Sequence, residues 1–181
     1  MGMLIPMSNS GSRFMNQFPS LSAVETLSSD AIFSPCRKYR YVLWRRWAND
    51  WSSNYALFVG LNPSTADETQ DDPTIRRCIK FAKDWGYSGL CMTNLFAYRA
   101  TDPKDMIASA DPIGLENDKY LLEYAARAGI VVAAWGNHGT HHNRHIYVKK
   151  MLPNLHCLRL TKLGMPWHPL YLPQTLKPIP F

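Results

Sequence analysis

A chain of 181 residues has the size of one ordinary domain. Hydrophobic residues make up 46% and charged residues 19%, which allows a packed core and argues against global disorder. A net charge of +6 and a pI of about 9.2 favour a polyanionic partner without requiring one. The most extended apolar run, Gly129–Trp135, is far too short to span a bilayer. The opening MGMLIPMSNSGSRFMNQF lacks a signal core, and Pro6 stands where N-myristoylation wants Ser or Thr. A cytoplasmic protein with no membrane partner is expected. Cys36, Cys78, Cys91 and Cys157 form no CxxC pair and read as reduced, mostly buried thiols, with no spacing for an iron–sulfur cluster.

Residues 1–30 carry Ser, Asn and Gly without periodicity and are expected to form a mobile arm, leaving 31–181 as a single domain. In CRKYRYVLWRR, Tyr39, Tyr41 and Leu43 alternate with Arg40, Val42 and Trp44, which predicts a strand and makes this the most basic segment. Four nearly continuous apolar runs follow: Tyr55–Val59, Gly89–Asn94, Gly129–Trp135 and Leu155–Leu160. That pattern belongs to strands covered on both faces. Helices are predicted between them. Asp72-Pro73 is a cap and first-turn pair for PTIRRCIKFAKDWGY, which Gly86 ends. GLENDKYLLEYAARAG is a second helix ended by Gly129, and NRHIYVKKMLPN a third ended by Pro153. The alternation predicts a three-layer α/β/α sandwich around a central, mostly parallel four-stranded sheet.

In such a sheet, ligands bind outside the carboxyl ends of the strands. The segments after the four strands are GLNPSTADE, TNLFAYRATDP, WGNHGTHH and TKLGMPWHPLYLP. Their Asn, Ser, Thr, Arg, Asp and His residues should gather at one edge. Taken alone, Asn62-Pro63-Ser64 is also ordinary turn chemistry.

These loops resemble the motifs of the uracil-DNA glycosylase superfamily. VGLNPS is similar to the Gly-x-Asn-Pro of its mismatch-specific branch. MTNLFAYRATDP resembles that branch's Thr-Asn-hydrophobic-x-x-Arg-x-Thr segment, AAWGNHG its Leu-Trp-Gly strand end, and HPLYL its final His-Pro-Ser-type motif. The four occur in the family's order across about residues 55–172. The whole chain also looks like a family of bacterial and phage proteins of unknown function, the domain of unknown function 1643.

The resemblance implies hydrolysis of an N-glycosidic bond on a nucleotide flipped out of DNA, with no cofactor and no metal. Asn62 would hold the attacking water, helped by a carboxylate among the nearby Asp67, Glu68, Asp71 and Asp72, with Asp67 the choice. His168 would donate a hydrogen bond to the departing base's carbonyl oxygen. Asn94 would read the base edge, in a pocket built with Gly60, Leu61 and Ser64. Pro63, Trp167, Leu170 and Tyr171 would face DNA, the last two as an apolar wedge. Arg99 would hold a phosphate, buttress the first loop or pair with an Asp.

The departures carry information. Uracil-specific members place a bulky tyrosine after the Asp-Pro of the first motif, where it blocks substituents at C5. Ser64 stands here instead, so a 5-substituted or mispaired pyrimidine is expected to fit. Asn62 replaces the aspartate, which implies a slower enzyme, and His-Pro-Leu lacks the serine hydroxyl that would grip phosphate.

HGTHHNRH places His138, His141, His142 and His145 close together. On a helix, His138, His142 and His145 would share a face that could hold zinc or nickel, but no Cys, Asp or Glu in the segment completes a site. The alternatives are a helix start contacting phosphate through His138 and Arg144, or a merely polar surface. Beside the glycosylase stand two other readings: a non-catalytic binder of DNA or modified bases, and a nucleoside or nucleotide hydrolase. The basic segment at residues 36–46 favours a polymeric substrate.

Overall fold

The computed structural model describes residues 28–50 and 53–181. Of the expected arm, residues 1–27 lie outside the described residues, and Ser29 already begins a strand. The elements, in chain order, are β1 (Ser29–Phe33), β2 (Arg40–Arg46), β3 (Tyr55–Gly60), α1 (Pro73–Asp84), β4 (Gly89–Asn94), α2 (Pro103–Ile107), α3 (Asn117–Ala125), β5 (Ile130–Ala133), α4 (Arg144–Met151), β6 (Leu155–Cys157) and β7 (Ile179–Pro180). Short 3-10 turns cover Asn137–Asn143 and Pro169–Tyr171.

The strands form one seven-stranded sheet in the order β1-β2-β4-β3-β5-β6-β7. Its centre, β4-β3-β5-β6, is parallel throughout. These are the four strands predicted from continuous apolar runs, so the α/β class stands. The strand count differs: β1, β2 and β7 extend this centre through antiparallel pairings. β1 and β7 escape sequence reading for a physical reason. They lie at the sheet's edges, half-exposed, and β7 contains Pro180.

Alternate residues of β3 divide the core into two faces. Ala56 and Phe58 pack with Leu90, Met92 and Val132 against Ile75, Cys78, Phe81 and Ala82 of α1. On the opposite face Tyr55 and Leu57 meet Tyr120 and Tyr124 of α3, while Val59 joins Met106 of α2, Leu121 of α3 and Val148 of α4. Helices therefore lie on both faces. Asp72 caps α1 as predicted, its side chain accepting the Ile75 N–H at 2.8 Å, and Gly86 closes that segment at φ +85°. The second helix ends earlier than predicted, at Ala125. The Gly129 N–H instead donates to Tyr55 O, joining the start of β5 to β3.

The alternation in β2 does not separate core from solvent, because all seven residues are buried. Arg45 makes this possible by using its whole guanidinium. Nε pairs with Asp71 at 2.7 Å, Nη1 donates to Trp44 O and Asp30 O, and Nη2 donates to Asp67 O and Gln70 O. The arginine thus ties β1, β2 and the 67–71 loop together. Replacing it by Met would leave those carbonyls and Asp71 unpaired. Arg45→Met is expected to lose about 3 kcal/mol of unfolding free energy, read by urea denaturation, far more than a surface Lys104→Met.

Candidate functional site

Strand order reverses between β3 and β5: β3 connects to β4 on one side and the chain then returns to β5 on the other. That reversal opens a crevice at the carboxyl ends of the strands. A cleft of about 350 Å³ lies there, at the small end of the range for small-molecule sites. Of the residues expected to form the site, the structure brings Gly60, Leu61, Asn62, Ser64, Asn94, His138 and His168 to its walls. It adds Arg40, Asp72, Thr101 and Trp135.

Asn94 sits where it does because of strand register. It is the β4 partner of Gly60, the last residue of β3. A Cβ on Gly60 would lie 2.7 Å from Asn94 Oδ1, so the amide lies against bare backbone. Asn94 is buried, and its Nδ2 has no hydrogen-bond partner among the described residues. A buried donor left open at a cleft wall can serve a ligand acceptor.

Asn62 is held differently. Its Nδ2 donates to Ala100 O at 2.8 Å and to Pro63 O at 3.1 Å. Both amide protons are thereby drawn to backbone, which orients Oδ1 as the side chain's remaining acceptor. Its loop is zipped to the segment after β4, with Leu95 N–H donating to Gly60 O, Phe96 N–H to Leu61 O and Ala100 N–H to Pro63 O.

His168 caps the short turn Pro169–Tyr171: its Nδ1 accepts the Leu170 N–H at 3.4 Å. That arrangement places the proton of a neutral ring on Nε2. Burial pushes the His168 pKa below its ordinary value, with Asp72 working weakly in the opposite direction. The ring is therefore a neutral donor at neutral pH.

The structure does not bring Asp67 to the cleft. Its carboxylate accepts the backbone N–H groups of Thr69 and Gln70, closing its own loop, and these bonds hold its pKa down. The carboxylate that lines the cleft is Asp72, another of the four nearby carboxylates, which also caps α1.

The expected DNA-facing residues divide. Tyr171 and Trp167 are exposed, Leu170 is half-buried beside His168, and Pro63 is buried. Arg99 is not among the residues lining the cleft; it donates to Arg37 O and lies over Phe33. Arg144 is buried; Nε donates to Leu95 O, and Nη2 pairs with Asp118. It braces α4 against α3 and has no guanidinium face free for phosphate. The basic segment divides too: Arg40, Arg45 and Arg46 are buried, while Arg37 and Lys38 are exposed.

The histidines do not share a helical face. Residues 137–143 form a kinked 3-10 turn, with φ +50° at His142 and +54° at Asn143, and α4 starts only at Arg144. His141 packs on Phe96 and His142, His145 faces Gly139 O, and His138 alone joins the cleft. Among the described residues no group of three or more His, Cys, Asp and Glu could hold a metal ion, and no helix is long and apolar enough to cross a membrane.

Fold and cleft together define an α/β domain with a cleft at the reversal point of its sheet. The chain belongs to the family described as Protein of unknown function (DUF1643), whose model matches residues 40–170. That span contains every cleft residue named above. No curated protein and no solved structure matches the chain.

Two outcomes follow from this geometry. Gly60→Ala should displace the Asn94 amide, leaving the fold intact by circular dichroism while ligand affinity falls about tenfold. For His168, the folded pKa lies below the unfolded one, so the unfolded chain takes up the proton first. Its contribution to stability is complete above the ordinary histidine value of 6.5 and is lost as pH falls below it. An imidazole titration by NMR should give His168 a midpoint below that of free histidine.

Proposed function

We propose that this protein is a DNA glycosylase that hydrolyses the N-glycosidic bond of a flipped-out pyrimidine, one bearing a 5-substituent or held in a mispair. The observation that carries the reading is the pairing of two fixed groups across one cleft: Asn62, with Oδ1 presented as an acceptor, and His168, neutral with Nε2–H as a donor. Asn62 Oδ1 accepts a hydrogen bond from a water and aims its oxygen at the anomeric carbon. His168 donates to the base's carbonyl oxygen as the C–N bond breaks and the base gathers negative charge. The water oxygen bonds to the sugar, and the proton it releases passes to the departing base or to solvent.

Asn94 is the candidate reader of the base edge, with an open Nδ2 and an Oδ1 acceptor. Ser64 lines the cleft without closing it, which supports a ring larger than uracil. Exposed Trp167 and Tyr171 beside the cleft support a substrate that continues beyond the ring, as a strand does. The four ordered motif resemblances point the same way.

A second reading, a non-catalytic binder of modified bases or DNA, is favoured by one observation. Asn62 is no base, and Asp67 is committed to its own turn. A third, a nucleoside or nucleotide hydrolase, gains from the burial of Arg40, Arg45 and Arg46, which withdraws charge from any polyanion.

Oligonucleotides bearing uracil, mispaired thymine or bulky 5-substituted pyrimidines, and the matching free nucleosides, separate these readings when scored for base release and alkali-labile sites. The expected result is release from the 5-substituted or mispaired oligonucleotide. Asn62→Ala and His168→Ala should each be slower by about 100-fold. Strict uracil preference would sink the proposed specificity. Binding without abasic sites would favour the binder, and release from nucleosides alone the third reading.

A further inference from the structure

Among the buried arginines, Arg40 is the anomaly. Arg45 satisfies all three guanidinium nitrogens, and Arg144 places one end on Leu95 O and the other on Asp118. Arg40 is only 2% exposed, yet among the described residues its side chain makes one hydrogen bond, from Nη1 to Ala66 O at 2.7 Å. Its Nε has no partner among the described residues. It forms no salt bridge there; the charges it feels include Asp72 and Asp67 in its favour and Arg99 and Arg45 against it. Burial pushes its pKa down to about 10, so it remains charged at neutral pH.

An under-bonded buried cation is costly, and a fold that fully satisfies Arg45 five residues along the same strand shows that the cost is avoidable here. Arg40 is also the one of these three that lines the cleft. A second open donor, Asn94 Nδ2, lines the same cleft. The nearby carboxylate of Asp72 is partly engaged, since it accepts the Ile75 N–H at the start of α1. The cleft thus holds unspent hydrogen-bond donors on a wall close to Ala66 and hence to Ser64.

We propose that Arg40 is the receptor for an anionic oxygen carried by the ligand, namely a carboxylate on the ring of a pyrimidine and not a phosphate of the strand. In the glycosylase-type reading the ring enters the cleft that Arg40 lines, whereas a backbone phosphate stays at the rim. The planar guanidinium matches the two oxygens of a carboxylate, and Asn94 supplies a further donor from β4. This rests on the glycosylase-type reading only for the identity of the ring.

The test is a direct binding measurement on the full chain, by isothermal titration or ligand-observed NMR, with 5-carboxyuracil, thymine and inorganic phosphate as probes. Wild type should bind 5-carboxyuracil about tenfold or more tighter than thymine. Phosphate should not compete. The preference should fall to near parity in Arg40→Met. Should that variant fail to fold, Arg40→Lys serves, with the preference reduced but not abolished, and the wild-type comparison needs no variant at all. Equal wild-type affinities, no binding of either ring at millimolar concentration, a preference that survives Arg40→Met, or competition by phosphate would each overturn the assignment. Base release from DNA is read separately. Release without any preference for a carboxyl-bearing base removes this role of Arg40 and leaves the glycosylase reading intact. Carboxylate-selective binding with no base release from any substrate does the reverse.

Discussion

The cleft depends on one constraint, the parallel pairing of β3 with β4 and its continuation beyond both strands. The register ends with Gly60 opposite Asn94, but the hydrogen bonds do not stop there. Leu95 and Phe96 donate to Gly60 O and Leu61 O, and Ala100 donates to Pro63 O. Loops at the ends of strands are normally the variable part of an α/β domain. Here the two that matter are stitched together by backbone groups, so Asn62 and Asn94 inherit the rigidity of the sheet. The absence of a side chain at Gly60 allows the amide of Asn94 to lie so close to β3. A site built this way holds its donors and acceptors in place before any ligand arrives, which lowers the ordering cost of binding.

Part of the protein's positive charge is used inward. A segment that reads as a basic arm places three arginines in the interior. Arg45 ties the outer strands to the 67–71 loop, and Arg40 reaches the loop that carries Ser64 through its bond to Ala66 O. Net charge alone is therefore a weak guide to a polyanionic partner in this chain. What the surface does present near the cleft is aromatic and aliphatic at Trp167, Leu163 and Tyr171, with Arg159 and Lys162 exposed beside them.

Much of the fold was legible because burial on both faces leaves a simple trace. β3, β4, β5 and β6 appear as apolar runs, and Asp72-Pro73 announces α1. The convergence of Asn62, Asn94 and His168 was legible too, since a parallel sheet sends every carboxyl end to the same edge. Other features leave no such trace. Strand alternation in β2 predicted a strand but not the burial of Arg40, because sequence cannot show that β1 and the 67–71 loop pack on that strand. Sequence offered Asp72 among four nearby carboxylates but could not show that it is the one that lines the cleft. The histidine segment looked helical until the left-handed backbone at His142 and Asn143 broke the period. Asp67 was the nearer carboxylate in sequence, but its bonds to Thr69 and Gln70 turn it into its own loop.

The rim is coupled to the cleft by bonds that cross between strand ends. Leu160 pairs with Pro166, and Thr161 N–H donates to Met165 O, forming a hairpin that carries Leu163 at its tip. That hairpin is fastened to the end of β5 by the Gly136 N–H on Pro166 O and by the Thr161 hydroxyl on Asn137 Oδ1. His168 follows two residues after Pro166. A group pressing on Leu163 or Trp167 therefore bears on a short, hydrogen-bonded path to the imidazole. In the proposed reading this divides the labour. The rim meets the part of the substrate that stays outside, and the same loop sets the donor that meets the part inside. Binding energy gained at the rim can then be used to hold the ring against Asn62 and His168, where small errors of position slow the chemistry most.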